Sequence, residues 1–140
     1  MSLHPITATP DQMPWIPGSE ALGEQVLFQG QETVHFKILS DRRAERGGLA
    51  QIVRFSPPAG TLIKIVANAR SDEHIYILTG GHCDKSGRQR LFPGEYLLHP
   101  EGLAHGAFLG IETIAYQIYS GEPDELLEFQ ILPLARTTGQ

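Results

Sequence analysis

The stretch IVANARSDEHIYILTGGH, Ile65 to His82, decides how the chain is read. Ile65 to Ala67 closes an apolar run that begins at Thr61, Arg-Ser-Asp makes a polar turn, and His74 to Thr79 forms a second run that ends on two glycines. Short runs rich in Ile, Val and Tyr, bounded by turn residues, read as strands. The same rhythm extends outward in both directions. Strands are expected at Gln25–Phe28, Thr33–Leu39, Leu49–Ser56, Thr61–Ala67, His74–Thr79, Glu95–His99, Ile111–Tyr119 and Leu126–Leu132. Turn signals such as SPPAG, TGGH, DKSGRQ, FPGE, HPEG and SGEPDE separate them. No stretch sustains the i, i+3, i+4, i+7 period of an amphipathic helix. The expected class is all-β, a sandwich or barrel of short antiparallel strands.

Composition narrows the function. The chain has 140 residues, 41% of them hydrophobic and 19% charged, with a formal net charge of −5. That length fits one domain with a real core. We divide it into an extended N-terminal arm, 1–20, and a single barrel domain, 21–140. The negative charge argues against a nucleic-acid partner, which needs a basic face. No apolar run approaches the roughly 20 residues of a membrane helix. The first residues have no basic start and no apolar signal core, so a cytoplasmic location is expected. The lone Cys83 forms no internal disulfide framework, and it reads as a small packing residue. In the arm, MPWIP (Met13–Pro17) offers an apolar anchor, with Trp15 set against the barrel or a partner subunit.

The sharpest motif lies downstream, in GEYLLHPEGLAH, Gly94 to His105. A glycine opens a strand, Pro100 ends it, Gly102 allows a sharp turn, and His105 opens the next strand. This G-x5-P-x-G-x2-H pattern resembles the second motif of the cupin superfamily. Upstream, PAG at Pro58–Gly60, then Glu73, then IYILTG ending at Gly80, is similar to the first cupin motif in outline. With the MPWIP arm, the chain looks closest to small single-domain cupins of the ChrR-like and acetylacetone-dioxygenase-like type.

The resemblance implies a small antiparallel β-barrel of the jelly-roll, double-stranded β-helix type, with a metal inside and a homodimer in solution. It places Glu73 and His105 on two of the family's ligand positions. The family's His-x-His pair falls on Ala67 and Ala69, or in the other register on Val66 and Asn68, so both imidazoles are missing. The closing Asn of the second motif is replaced by Leu109. A firm zinc or iron site needs at least three protein ligands. Glu73 and His105 supply two, so Fe, Zn, Mn or Ni would be weakly bound or absent unless His82 or His99 turns inward as a third. His74 neighbours Glu73 along one strand and should face the other way. A Glu73–His105 pair is also a candidate general base without any metal.

Three readings of function stay open at this point. The chain can be a barrel that binds a small organic molecule, with Ile75, Ile77, His99 and Phe108 as candidate cavity residues. It can be a metal-dependent oxygenase, hydrolase or isomerase using Glu73 and His105 with a third ligand. It can also be a non-catalytic sensor or assembly module.

Overall fold

The computed structural model describes residues 3–134; residues 1–2 of the arm and 135–140 of the barrel domain lie outside them. The chain forms β1 (Ile16–Pro17), a one-turn helix α1 (Ser19–Leu22), β2 (Leu27–Phe28), β3 (Gln31–Glu32) and β4 (Val34–Asp41). It continues through β5 (Leu49–Phe55), β6 (Thr61–Asn68), β7 (Glu73–Thr79) and β8 (Tyr96–His99). It ends with β9 (Ala104–Leu109), β10 (Thr113–Tyr119) and β11 (Glu125–Pro133). A six-stranded sheet runs β1-β4-β5-β10-β7-β8, and a three-stranded sheet runs β11-β6-β9. All of their pairings are antiparallel. No helix among the described residues is long and apolar enough to cross a membrane.

Alternation along each strand decides what faces inward. On β7, Glu73, Ile75 and Ile77 are buried, whereas Tyr76 and Leu78 are exposed. On β10, Thr113, Ala115 and Tyr119 are buried and Ile118 is exposed. The inward rows of the two sheets meet in one core that joins Val34, Val53, Ile75, Ile77 and Ala115 to Ile63, Leu109 and Phe129. The ladders also fix one common end of the barrel. Tyr119 pairs with both Glu73 and Leu49, Glu73 pairs with His99, and Ala67 pairs with His105. Polar inward residues concentrate at that end.

Two turns place the site. Gly102 has φ +90°, and the turn closes when Leu103 N–H donates to the Pro100 carbonyl at 3.1 Å. Gly102 N–H in turn donates to the Ala69 carbonyl at 2.7 Å, tying the start of β9 to the end of β6. At Gly81, φ is +140° and a Cβ would collide with the Leu91 carbonyl, so only glycine lets the chain turn sharply after β7.

The local structure differs from expectation in three places. Gln25–Phe28 is a 3-10 turn, Glu24–Val26, followed by the two-residue β2, because positive-φ Gly23 and Gly30 bracket and shorten the segment. The strand expected from Ile111 starts at Thr113, after the Gly110–Ile111 corner. The strand opened by His105 is the full β9; its Ala, Gly and Ala positions give little β signal, and pairing with β6 supplies the order. The arm is docked on its own chain. Trp15 lies edge-on to His35, with Lys37 Nζ 4.5 Å and the Arg54 guanidinium carbon 4.4 Å from its ring centre. Lys37 Nζ also donates to the Pro10 carbonyl at 2.7 Å.

Candidate metal centre

A cavity of about 760 Å3 opens at the end of the barrel where Glu73, His99 and His105 converge. Glu73 begins β7 and points inward, and its side chain is only 3% exposed. A buried carboxylate must find partners for its oxygens. Oε2 accepts from the Tyr119 hydroxyl at 2.9 Å and from Gln117 Nε2 at 3.4 Å. Oε1 lies 2.8 Å from His99 Nδ1 and 3.7 Å from His105 Nε2. The two imidazoles stack with centroids 3.6 Å apart and planes 17° from parallel. They present one nitrogen each to the same carboxylate oxygen.

The donor set therefore suits a divalent ion in type and reach. One ligand atom from each of Glu73, His99 and His105 lies within 4.8 Å of the others. Two imidazoles and one carboxylate form the combination used by non-haem iron and by several zinc sites. His105 Nε2 also lies 2.7 Å from Asp124 Oδ2, and Asp124 Oδ1 is buried without a hydrogen-bond partner among the described residues.

Electrostatics divide the histidines. For His105, burial opposes the charged form, but the Asp124 hydrogen bond and the charges of Asp124 and Glu73 outweigh it and raise the pKa. His82 lines the same cavity, where burial and the neighbouring His99 and His105 push its pKa down to about 4. His82 is thus an uncharged imidazole beside a site already supplied with nitrogen. Burial, with Glu73 and Asp124 adding, holds the Tyr119 phenol well above its ordinary value, so it stays a donor to Glu73.

Comparison with known proteins agrees with this architecture. No protein-family model and no curated protein matches the chain. Solved structures do. A protein of unknown function with a cupin-like fold from Ralstonia eutropha JMP134 superposes with a TM-score of 0.63 at 18% identity, over 91% of this chain and 79% of that one. KdgF from a Halomonas species gives 0.54 at 17% identity, over 84% of this chain and 93% of that one. HppE with Fe(II) gives 0.52 at 15% identity, over 81% of this chain and 59% of that one.

The fold is a cupin fold.

Within this cupin barrel, the sequence expectations divide. Glu73 and His105 meet, as their motif positions implied. His99 turns inward and joins them, because β8 pairs with β7 in a register that sets it opposite Glu73. His82 lies in the cavity wall, outside the group of mutually close ligand atoms. His74 faces outward and meets the Tyr96 hydroxyl at 2.6 Å. Ile75 lines the cavity. Ile77 does not: it is fully buried in the core. Phe108 is corrected too, since it alternates with inward-facing Ala107 and Leu109 and so faces away from the cavity. Cys83 is half-buried with its thiol pushed up by burial, which suits packing.

The sequence reading missed Asp124, Gln51, Gln117 and Tyr119. Gln51 donates to Gln117 at 2.8 Å, continuing the polar row that reaches Glu73. A signal for these existed: polar residues recur at alternate, core-facing positions of otherwise apolar strands. Asp124 had no such signal, since it sits in a loop.

Proposed function

We propose that this chain is a cupin-fold protein that binds a small organic molecule in its barrel cavity, over a divalent cation held by Glu73, His99 and His105. The observation that carries this reading is the convergence of both imidazoles on Glu73 Oε1 at the cavity end. His99 on β8 supplies the nitrogen that Ala67 and Ala69 cannot. When bound, such an ion supplies Lewis-acid or oxygen-activating chemistry, and iron or manganese suits the donor set. The remaining roles belong to the chain. Val53, Ile65 and Phe129 give the apolar wall that receives the body of a ligand, and Gln51 and Gln117 offer polar contacts. Tyr119 and Gln117 hold the Glu73 carboxylate in place, and His105 and Asp124 can hold a proton between them. The resemblance of the sequence motifs to acetylacetone-dioxygenase-like cupins favours oxygenase chemistry as the catalytic form of this reading.

The test is equilibrium binding. Protein purified without a histidine tag and stripped with chelator is titrated with Mn2+, Fe2+ under anaerobic conditions, Zn2+ and Ni2+. One ion per chain is expected, with affinity falling about a hundredfold in Glu73→Ala, His99→Ala and His105→Ala. A wild-type protein that binds none of these ions, or three variants that bind as well as wild type, would overturn the reading.

We further propose a homodimer, formed through the outer face of the six-stranded sheet. Tyr76, Leu78, Tyr96, Leu98 and Ile118 are all at least 36% exposed there, and the ladders set Tyr116, Tyr76 and Tyr96 in one row and Ile118, His74 and Leu98 in the next. Together they form an exposed patch suited to the centre of an interface that takes about 800 Å2 from each partner. A sheet face repeated by a two-fold axis is self-complementary, which makes a second copy the natural occupant.

A further inference from the structure

We infer that His82 is the side chain that grips the bound organic molecule, and that the group it grips is a hydroxyl on an otherwise apolar ligand. This rests on the small-molecule part of the reading proposed above and names the chemical class of that molecule.

The first observation is an imidazole without a partner. The neighbouring polar side chains of the cavity are engaged with one another. Glu73 meets His99, Gln117 and Tyr119, Gln51 donates to Gln117, and His105 meets Asp124. Neither ring nitrogen of His82 has a hydrogen-bond partner among the described residues, and neither is sealed from solvent, although the residue is half-buried in the cavity wall. Polar groups withdrawn from bulk water are normally paired. A molecule that fills the cavity must meet both nitrogens or leave them idle.

The second observation is how the ring is held. Gly81 N–H donates to Thr113 Oγ1 at 3.0 Å, and the fully buried Thr113 hydroxyl lies at donating distance, 3.0 Å, from the Gly81 carbonyl. The His82 carbonyl accepts from the N–H groups of Arg90 and Leu91 at 2.8 and 3.1 Å. Cys83 N–H donates to the Phe108 carbonyl at 2.8 Å. The imidazole thus leaves a corner whose backbone is tied on both sides. A contact positioned in advance costs a ligand little ordering to engage.

The chemistry of the ring selects the ligand group. Burial, with His99 and His105 nearby, keeps His82 uncharged, so it offers one N–H donor and one lone pair. A hydroxyl both accepts and donates, and it answers both nitrogens' capacities. A carboxylate only accepts, and Glu73 and Asp124 already line this cavity with negative charge. The rest of the molecule meets Val53, Ile65 and Phe129, which suits an apolar body. The class is therefore a small alcohol or phenol.

The experiment titrates chelator-stripped protein with phenol, toluene and benzoate, three probes of similar size that differ in the group they offer. Amide and imidazole signals are followed by NMR. Wild type should bind phenol about fivefold more tightly than toluene or benzoate, with the His82 ring signals among those that shift. In His82→Leu, checked for fold by circular dichroism, phenol and toluene should bind within twofold of each other. The wild-type ring signals report the contact even if that variant does not fold. Toluene or benzoate binding as tightly as phenol, a phenol preference that survives in folded His82→Leu, or His82 ring signals that phenol leaves unmoved would overturn the inference and leave the small-molecule reading standing. A wild type that binds none of the three would overturn both, while the metal titration above is decided separately.

Discussion

Glu73 and His99 stand directly opposite each other on neighbouring strands, and Nδ1 of the histidine lies 2.8 Å from Oε1 of the glutamate. That cross-strand pair sets a second histidine beside His105 at the buried carboxylate. It also makes the end of β8 part of the site rather than a rim.

The Tyr119 hydroxyl secures the other oxygen of Glu73 at 2.9 Å. Tyr119→Phe removes that donor and leaves Oε2 with only the 3.4 Å contact from Gln117. A hydrogen bond to a buried charge contributes about 2 kcal/mol, so urea denaturation of the variant should show a loss of that size with the fold intact. A midpoint equal to wild type would contradict the placement of Tyr119.

Acid should act through His82. Its folded-state pKa of about 4 lies below the ordinary 6.5, so between those values the unfolded chain binds a proton that the folded chain refuses. Stability from this group is complete above pH 6.5 and is lost as pH falls towards 4, by about 3 kcal/mol in full. His105, with its pKa raised, runs the other way: its contribution is complete below 6.5 and fades as pH rises through the folded value. In chelator-treated protein, His82→Gln should flatten the fall between pH 6.5 and 4. Stability curves that stay parallel across that window would count against a half-buried, neutral His82.

Association should follow the sheet face and not the arm. Trp15 is packed on its own chain between Lys37 and Arg54, so Trp15→Ala should cost about 2 kcal/mol of stability without changing the mass in solution. Leu98→Asp puts a charge into the exposed apolar rows, on the edge strand β8, and should convert a dimer to monomers of unchanged fold. Light scattering decides between them: a wild-type monomer, or a Leu98→Asp dimer, removes the proposed interface.

The fold was legible because strand residues, alternation and glycine turns all pointed the same way. Glu73 and His105 were legible because they sit on motif positions with recognisable flanks. His99 was the harder case. It occupies the last residue before Pro100, and its direction depends on pairing with β7, which one strand end does not reveal. Phe108 and Ile77 were misplaced for related reasons. The parity of β9 was unsettled, and a fully buried isoleucine looks the same in sequence whether it fills a core or lines a cavity. Asp124 was invisible, since only the tertiary path of the β10–β11 loop brings it to His105.

The most direct test of the central claim is a crystal of the chelator-stripped protein soaked in Mn2+, with anomalous scattering recorded at the manganese edge. The account predicts one strong peak per chain within bonding distance of Glu73, His99 and His105. A map with no peak at these side chains at saturating Mn2+, or with its peak at other residues, would contradict it.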